Sequence, residues 1–278
     1  MSNVVNTNTG SLAAQHALSL NERNLSRSMA QLSTGLRINS AADDAAGLAI
    51  GNKMTAQIRS LSVAIKNAND GISMLQTADA ATSQMTEMLV RMRELAIQSA
   101  NDTNSVSERT ALQSEFSGLQ AQLGNIITNT TWNGMKVLEA EAGTSGVTKF
   151  HVGASSNDSI SLPLTSLNSS DVAAVMANTV KIDTQPNSTS SLNLVDKAMK
   201  QLDGERAGWG AMMNRLTYAA DNASNVALHT SASRSRVMDT DYAQATAEMA
   251  KAMILDQAGA AMLSQANQQP MYVLALLR

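Results

Sequence analysis

The sequence contains no cysteine, three prolines and few aromatic residues. Without cysteine, the chain has no disulfide framework, no thiol nucleophile and no cysteine-ligated metal. Two tryptophans, two phenylalanines and three tyrosines are the only large aromatic anchors, so the apolar share of 44% is mostly aliphatic side chains and methionine. That composition favours close-packed helices over a β-sandwich or an enzyme pocket. The prolines are Pro163, Pro186 and Pro270, so nothing in the first 162 residues must break a helix.

Charge clusters and long hydrophobic runs are also missing. The formal net charge of −3 comes without a basic patch, so the sequence offers no electrostatic footprint for nucleic acid or an anionic membrane. No stretch approaches the roughly 18 apolar residues of a membrane-spanning helix. The first basic residue is Arg23, and no apolar stretch near it resembles the core of a secretory signal peptide. The residues alone therefore predict a cytoplasmic protein that does not insert into membranes.

Residues that could carry catalysis or bind a metal form no recognisable pattern. His16, His151 and His229 lie in three different segments, with no second histidine at ligand spacing. Asp43 and Asp44 are adjacent, and neighbours on a helix point about 100° apart, so they fit a helix start or a salt bridge rather than a proton-sharing dyad. Neither a phosphate-cradling glycine-rich loop nor a serine-elbow motif is present. We expect no enzymatic activity, no cofactor and no metal.

Two segments far apart in the chain carry the strongest periodicity, with apolar or small residues alternating three and four apart. The first seam runs from Ile58 to Ser99 and the second from Leu192 to Ala227. Each is typical of a coiled coil, and about 40 residues at 1.5 Å per residue make a helix of about 60 Å. Arg206 is the one charged member of the second seam, and we expect it near the end of the contact or directed to solvent.

A third, shorter helix is predicted between the two seams. The letters "SVSE" from Ser105 to Glu108 form a capping box, which marks a helix start. Apolar residues follow at helical spacing, and residues 101–104 then form a tight connection that folds this helix back on the first. The three helices predict one antiparallel bundle.

The segment 141–190 differs in composition, being rich in Gly, Ser, Asn and Thr. Alternation in "TKFHVG" and "SISLPL", joined by "ASSND", predicts a short β-hairpin. A brief helix is predicted after Ser170, followed by a linker up to Ser190. About 50 residues lie at the lower limit of an independent domain, so we expect no further domain here.

The two ends of the chain carry more apolar residues than the chain itself can cover. An N-terminal stripe is followed by a glycine-interrupted stretch, whereas the C-terminal helix is apolar nearly all round and so must be buried on several sides. The predicted association residues are Leu18, Leu25, Met29, Leu32, Leu36, Met249, Met253, Leu255, Met262, Leu263, Val273, Leu274, Leu276 and Leu277. Pro270 is expected to mark a local bend or a helix restart.

Five stretches at the two ends and along the first seam resemble bacterial flagellin. They read "QLSTGLRINSAADDAAGLAI" (31–50), "NANDGISMLQTADAA" (67–81), "RMRELAIQSAND" (91–102), "RSRVMDTDYA" (234–243) and "ILDQAGAAMLSQANQQPMYVLALLR" (254–278). Together the resemblance covers roughly residues 1–140 and 190–278, and the centre matches only through "FHVGASSNDSISL". The resemblance implies a mainly α subunit, with a long antiparallel bundle and a small β-hairpin region, that polymerises into the filament used for motility.

The resemblance also implies two domains with different positions in the filament. Residues 1–43 with 236–278 would form a paired helical inner domain that lines the filament tube. Residues 44–235 would form the bundle outside it, including the variable insert around 141–190. With so short an insert, the sequence resembles a minimal or lateral flagellin that lacks outer domains.

Export and recognition follow from the same resemblance. The family implies an extracellular protein of the flagellum, exported without a cleaved signal peptide with the help of an export chaperone and assembled beneath a filament cap. Animal Toll-like receptors are implied to contact Arg91, Leu95 and Glu115, with Arg93 and Glu94 close by. The rationale is that an exposed arginine and leucine four apart on a rigid helix make a compact anchor.

Two other structural readings and an enzyme remain as alternatives. A hook–filament junction protein shares similar ends but has a longer centre. A secreted, membrane-active helical translocator would need a long hydrophobic hairpin, which the sequence lacks. No site of convergent polar groups supports an enzyme.

Overall fold

The fold was analysed in a computed structural model, which describes residues 7–141 and 147–275, with side chains described up to residue 268. Helices dominate, which confirms the predicted mainly α class with a small β-hairpin region. The helices are α1 (Thr9–Thr34), α2 (Ala45–Ala100), α3 (Val106–Asn129), α4 (Asp171–Met176), α5 (Gln185–Met238) and α6 (Tyr242–Ala275). The strands are β1 (Thr131–Trp132), β2 (Met135–Lys136), β3 (Val147–His151) and β4 (Ser159–Pro163), and a 3₁₀ turn lies at Leu167–Ser169.

The chain divides into two compact units. The terminal unit comprises residues 1–56 and 229–278, and the bundle unit comprises residues 57–228. The expected division, 1–43 with 236–278 against 44–235, stays a prediction.

The bundle unit contains the main hydrophobic core. The seam on α2 is fully buried over much of its length, with Leu75 and Leu89 each 0% exposed, and half-buried at Ile58, Ile65 and Ile72. Phe116 on α3 is also 0% exposed. Leu202 and Leu216 lie on the α5 seam and are equally buried. The spacing of apolar residues, alternately three and four apart, therefore predicted the buried faces of both long helices.

Two ion pairs join α2 and α5 beside this core. Arg206, the charged member of the second seam, donates through Nε to Asp79 Oδ1 at 2.7 Å, and Arg93 Nε donates to Asp196 Oδ1 at the same distance. Arg206 therefore lies within the contact and pairs across it, with 34% of its side chain exposed. The expectation that it would sit at the end of the contact is wrong, because Asp79 supplies a partner in the middle of the bundle.

The start of α3 is the predicted capping box. Glu108 N–H donates to Ser105 Oγ at 3.3 Å, and Ser105 N–H donates to Glu108 Oε2 at 2.6 Å. These bonds satisfy two backbone donors that the first turn leaves free. They also fix the tight turn that brings α3 back along α2.

The insert between α3 and α5 contains two antiparallel strand pairs. The predicted hairpin is β3 with β4, and Phe150 lies opposite Ile160 in its register. A second hairpin, β1 with β2, turns at Asn133 and Gly134, whose φ angles are 50° and 78°. Positive φ at both positions is the geometry that an Asn–Gly pair favours in two-residue turns.

The predicted linker up to Ser190 is too long. Helix α5 begins at Gln185, with Thr184 Oγ1 accepting from Asn187 N–H at 3.4 Å. Pro186 lies in the first turn, where its missing N–H costs no helical hydrogen bond. A proline that was interpreted as part of a linker therefore belongs to a helix start.

Helix α6 runs through Pro270 without a restart, ending at Ala275. The prediction of a restart is wrong for the backbone. Proline removes one intrahelical hydrogen bond, which the turns on either side can tolerate.

Candidate functional site

The candidate site is the surface of the paired terminal helices, α1 and α6. Asn8 Nδ2 donates to Ala266 O at 2.8 Å, near the start of α1. Asn21 Nδ2 donates to Ala252 O at 2.7 Å, in the middle of the helix. Contacts to main-chain carbonyls at two separated levels fix the antiparallel register of the pair, and they do so with short polar side chains that let the helices approach closely.

The connection that follows α1 is pinned to the end of α5. Gly35 ends α1 in the left-handed conformation, with φ 72°, and its carbonyl accepts from Thr240 N–H at 3.0 Å. Arg37 N–H donates to Met238 O at 2.7 Å, and Ile38 is 1% exposed.

The acidic pair has the structural role that the sequence suggested. Asp44 Oδ1 accepts from Gly47 N–H at 2.8 Å and caps the start of α2. Asp43 Oδ2 accepts from the N–H groups of Ser40 at 3.0 Å and Asn39 at 3.2 Å. These bonds, with the Ser40 backbone bond first, lower the pKa of the Asp43 carboxyl below its ordinary value.

Two glycines near the start of α2 permit close packing. A Cβ added to Gly51 would lie 2.5 Å from Met238 Sδ, and one added to Gly47 would lie 2.6 Å from Ile38 Cδ1. Since real Cβ atoms do not approach this closely, the glycines make room for neighbouring side chains. The sequence showed them only as residues that weaken a helix.

The predicted association residues fall into three groups. The half-buried side chains are Leu18, Leu25 and Leu32 on α1, Leu36 just after it, and Met249 and Leu263 on α6. Side chains left exposed are Met29 at 52%, Met253 at 44%, Leu255 at 49% and Met262 at 65%. Val273 and Leu274 lie within α6, but their side chains are not described. Leu276 and Leu277 lie outside the described residues.

Other exposed apolar residues lie on the same helices but were not predicted individually. Leu12 is 57% exposed, Leu20 is 43% exposed and Ile254 is 66% exposed. Ile254 lies on α6, and Leu12 and Leu20 lie on α1 outside the predicted stripe. A helix pair has only one mutual face, so apolar residues elsewhere on either helix stay exposed.

Arg91, predicted for receptor recognition, is held by two carboxylates on the bundle surface. Its Nε donates to Glu115 Oε1 at 2.8 Å and its Nη1 donates to Glu94 Oε2 at 3.0 Å. The hydrogen bond to Glu115, followed by the one to Glu94, raises the pKa of the Arg91 guanidinium. Arg91 therefore pairs with these two residues and not with Glu87, four residues earlier.

Leu95 does not have the exposure that the receptor rationale required. It is 0% exposed, because it lies with Met92 and Ala96 on the face of α2 that packs into the core. The expectation of an exposed arginine and leucine four apart is wrong for this pair. Arg93 is partly exposed and pairs with Asp196 on α5.

Chemical machinery is not evident in the part of the chain that the structure describes. Within residues 7–141 and 147–275, no three His, Asp or Glu side chains are placed to hold a metal ion. A groove of about 360 Å³ between α1 and α6 is lined by mixed polar residues, among them Asn24, Arg27 and Lys251. None of the helices in those ranges combines the length and hydropathy needed to cross a membrane.

The geometry defines a class of protein. The terminal helices α1 and α6 leave several large apolar side chains exposed, and exposed apolar side chains in such numbers are typical of a protein that associates with other chains.

Comparison with known proteins identifies the family. Residues 5–142 match the bacterial flagellin N-terminal helical region, and residues 192–277 match the C-terminal helical region. A flagellin of Halalkalibacterium halodurans is 40% identical over 275 residues, covering 99% of this chain and 100% of that protein. Flagellin A of Vibrio cholerae is 33% identical over 378 aligned positions, covering 99% of each chain. The chain belongs to the bacterial flagellin family.

Solved structures agree with this assignment. The crystal structure of Bacillus cereus flagellin is 26% identical and covers 57% of this chain and 88% of its own, with a TM-score of 0.51. A putative flagellar hook-associated protein from Vibrio parahaemolyticus covers 71% of this chain and 100% of its own, with a TM-score of 0.60. At 16% identity, that second likeness shows the fold alone.

The function follows from the family. The protein is a structural subunit that polymerises into the bacterial flagellar filament, which lies outside the cell and serves motility. The readings as a junction protein or a membrane-active translocator are not favoured. The predicted short form fits as well, since the insert holds only the hairpins, a 3₁₀ turn and α4 in its described part.

Proposed function

We propose that the exposed apolar side chains of α1 and α6 form the polymerisation surface of the subunit. The observation that carries the proposal is on α6, where Met253, Ile254, Leu255 and Met262 are 44% to 66% exposed. Burying what remains exposed of one such side chain stabilises an assembly by about 0.7–2 kcal/mol, roughly half the value for a fully exposed one. Several on each subunit are enough to drive association once neighbouring copies cover them.

The proposal extends to the domain roles. Residues 1–43 with 236–278 form the inner domain that lines the filament tube, and residues 44–235 form the layer outside it. The half-buried leucines of α1 and α6 hold the pair together, whereas the exposed residues contact other copies. Val273, Leu274, Leu276 and Leu277, whose side chains lie outside the described residues, are proposed to take part in polymerisation as well.

Removing residues 240–278 tests the polymerisation surface. The truncated protein should form no filaments on seeding, as seen by electron microscopy, while circular dichroism still reports a helical bundle. The bundle should survive because its core lies within residues 57–228. Loss of the whole fold on truncation would contradict the proposal.

A pair of point variants on one helix gives a finer test. Ile254→Ser changes an exposed apolar residue of α6, and Gln257→Ser changes an exposed polar residue on the same helix. Ile254→Ser should raise the subunit concentration needed for assembly, and Gln257→Ser should leave it nearly unchanged. Equal effects of the two variants would argue against an apolar polymerisation surface.

The export route and its partners are part of the proposal. The subunit leaves the cell through the flagellar export channel without a cleaved signal peptide, aided by an export chaperone, and folds beneath a filament cap. A chain without cysteine forms no disulfide that could block such passage. Intact-mass analysis of filament protein should give the mass of an unprocessed N-terminus, and a missing N-terminal segment would contradict this route.

Recognition by an animal Toll-like receptor is a second proposed role for the bundle. Arg91 supports it, because its side chain is 50% exposed and is oriented by Glu94 and Glu115. Arg93 borders this cluster, and Leu95 supports it from beneath as a core residue. Arg91→Ala should weaken receptor signalling severalfold in a reporter assay, with an unchanged response counting against the site.

The subunit is further proposed to have no catalytic activity. The support is the lack of any convergent set of nucleophile, base and oxyanion donors in the described ranges. Filament formation by protein that shows no turnover of model ester, phosphate and glycoside substrates is the expected result.

A further inference from the structure

Methionine is the side chain of this protein that peroxides oxidise most easily. The chain contains 17 methionines and no cysteine, so an oxidant meets thioether sulfur and no thiol. The filament lies outside the cell, away from the systems that keep cytosolic proteins reduced. Which methionines react first then depends on how far each thioether is exposed to solvent.

The exposed methionines in the described part of the chain all lie on the two terminal helices. Met29 on α1 is 52% exposed, and Met253 and Met262 on α6 are 44% and 65% exposed. In the bundle core, by contrast, Met74 is 1% exposed and Met85 is 0% exposed. The other methionines with described side chains are buried or half-buried. Exposure therefore separates the methionines of α1 and α6 from those of the core.

Met253 and Met262 lie on either side of the face that α6 packs against α1. That face includes Ala252, which is 5% exposed, and Gly259, whose added Cβ would lie 3.1 Å from Leu18 Cδ1. Met253 and Met262 are nine positions apart in the sequence, so at 100° per residue they point about 180° apart around the helix. Each lies at one flank of the contact, which is why α1 leaves both thioethers exposed.

We propose that Met29, Met253 and Met262 are oxidation sites at which hydrogen peroxide prevents the subunit from polymerising. The inference rests on the proposed function, because these three side chains belong to the proposed polymerisation surface. At each site a sulfur lone pair attacks one peroxide oxygen, the O–O bond breaks and an S–O bond forms. Sulfur loses two electrons to the peroxide, and the leaving hydroxide takes the proton of the transferred oxygen, so the products are methionine sulfoxide and water.

The sulfoxide opposes association because it makes an apolar side chain polar. Burying its S–O group in an apolar contact without a hydrogen-bond donor is unfavourable, as it is for any unpaired polar group. The methionines of the bundle core are shielded from the oxidant, so the oxidised subunit keeps its fold. Oxidation at the three sites therefore acts on association and not on folding.

Peptide mass spectrometry locates the reactive sites after brief hydrogen peroxide treatment of the dispersed, full-length chain. Met29, Met253 and Met262 should gain an oxygen atom roughly tenfold faster than Met74 and Met85, because oxidation follows exposure. Circular dichroism should show unchanged helicity at that stage. Equal oxidation rates in the two groups would overturn the assignment of the sites.

Seeded assembly, followed by electron microscopy, measures the consequence. Peroxide-treated subunits should need on the order of ten times more protein to form filaments. Treatment with reductases for both sulfoxide epimers should restore the original requirement. A requirement that stays unchanged after peroxide, or a loss that the reductases do not reverse, contradicts the proposal.

The matched control combines Met29→Leu, Met253→Leu and Met262→Leu, which keeps the apolar surface but removes the three sulfur atoms. This variant should assemble equally well before and after peroxide treatment. A loss of assembly as large as that of the unmodified chain would show that the damage lies at other residues, and the proposal would then be wrong.

A polar substitution gives a second measurement without an oxidant. Met262→Gln imitates the polarity of the sulfoxide and should raise the protein concentration needed for assembly severalfold, whereas Met262→Leu should not. Equal assembly of these two variants counts against the proposal. If the untreated, unmodified chain forms no filaments, the proposed function fails and the inference falls with it. If untreated and oxidised subunits form filaments equally well, the proposed function stands and only the oxidation sites are overturned.

Discussion

The bundle unit and the terminal unit are built from similar helices but differ in how completely they bury their apolar residues. In the bundle, three helices and the insert surround a core in which residues such as Leu75, Phe116 and Leu202 are fully buried. In the terminal unit, α1 and α6 have only one mutual face, and Ile254 and Met262 remain about two-thirds exposed. The bundle therefore has a continuous buried core within one chain, although Val106 and Leu228 on its surface stay exposed, whereas the described core does not extend to α1 and α6.

Under the proposed function, the same residue types stabilise different states in the two units. Buried apolar residues of the bundle contribute to the free energy of folding. Exposed apolar residues of α1 and α6 are proposed to contribute to the free energy of association, so their loss should leave the monomer nearly intact. The following predictions test that separation, beginning with the largest effect.

Phe116→Ala should destabilise the bundle by about 3–5 kcal/mol, because it removes a large side chain that is 0% exposed. The measurement is thermal or denaturant unfolding of the monomer followed by tryptophan fluorescence. Trp132 and Trp209 both lie within residues 57–228, so the signal reports on the bundle.

Met262→Ala is the contrasting variant in the terminal unit. It should change monomer stability by no more than about 0.5 kcal/mol, since the side chain is 65% exposed. Filament assembly should need roughly tenfold more protein, because each 1.4 kcal/mol of lost association energy is a factor of ten. A large loss of monomer stability would break the proposed separation between the units.

The bundle could be predicted closely from the sequence, and the physical reason is its long, regular seams. Apolar residues spaced alternately three and four apart are a strong signal for a helix with one buried face. The letters "SVSE" mark the start of α3, because their serine and glutamate side chains bond to free backbone N–H groups of the first turn. The hairpin of β3 with β4 also followed from its alternation. By contrast, the two-residue strands β1 and β2 are too short to show a period, and only Asn133–Gly134 signals them.

The candidate site could be predicted only in part. Apolar residues around α6 predicted that something must cover the helix, but sequence periodicity cannot say which of them α1 covers. Leu95 shows the same limit in the bundle, since it looks like a surface neighbour of Arg91 and lies in the core. The pairing of Arg206 with Asp79 depends on the register between α2 and α5, which neither segment encodes by itself.

Glycine substitutions should reveal how tightly the bundle is packed. A Cβ added to Gly71 would lie 2.9 Å from the ring of Phe150, so Gly71→Ala should destabilise the bundle by about 1–3 kcal/mol. Gly204, also within a helix, has nothing within 4 Å of its added Cβ. Gly204→Ala should therefore stabilise the bundle by about 0.5–1 kcal/mol. Chemical denaturation of both variants checks the opposite signs, and a shared sign would show that the packing differs from that described.

Arg206→Ala should have a smaller effect, lowering bundle stability by at most about 1 kcal/mol. The ion pair with Asp79 is short, but about a third of each side chain is exposed, so solvent screens it. The deficit relative to the unmodified chain should shrink as salt is added. Asp79→Asn should give a comparable change, and a deficit that persists in high salt would point to lost packing of the arginine stem instead.

Acid should weaken the two units at different pH values, through one carboxylate in each that accepts backbone hydrogen bonds, Glu108 in the bundle unit and Asp43 in the terminal unit. Hydrogen bonding to Ser105 lowers the pKa of Glu108 below its ordinary value of 4.5, and hydrogen bonding to Ser40 lowers that of Asp43 below 3.8. Because each folded-state pKa is depressed, each contribution is complete above the ordinary value and is lost as the pH falls through the folded value. As the pH falls, the Glu108 contribution should therefore start to decline earlier than the Asp43 contribution, because the ordinary pKa of Glu108, 4.5, is higher than the 3.8 of Asp43. Amide signals of Ser105 and Ser40 in an NMR titration report the two losses separately, and Glu108→Gln should remove the first while leaving the second in place.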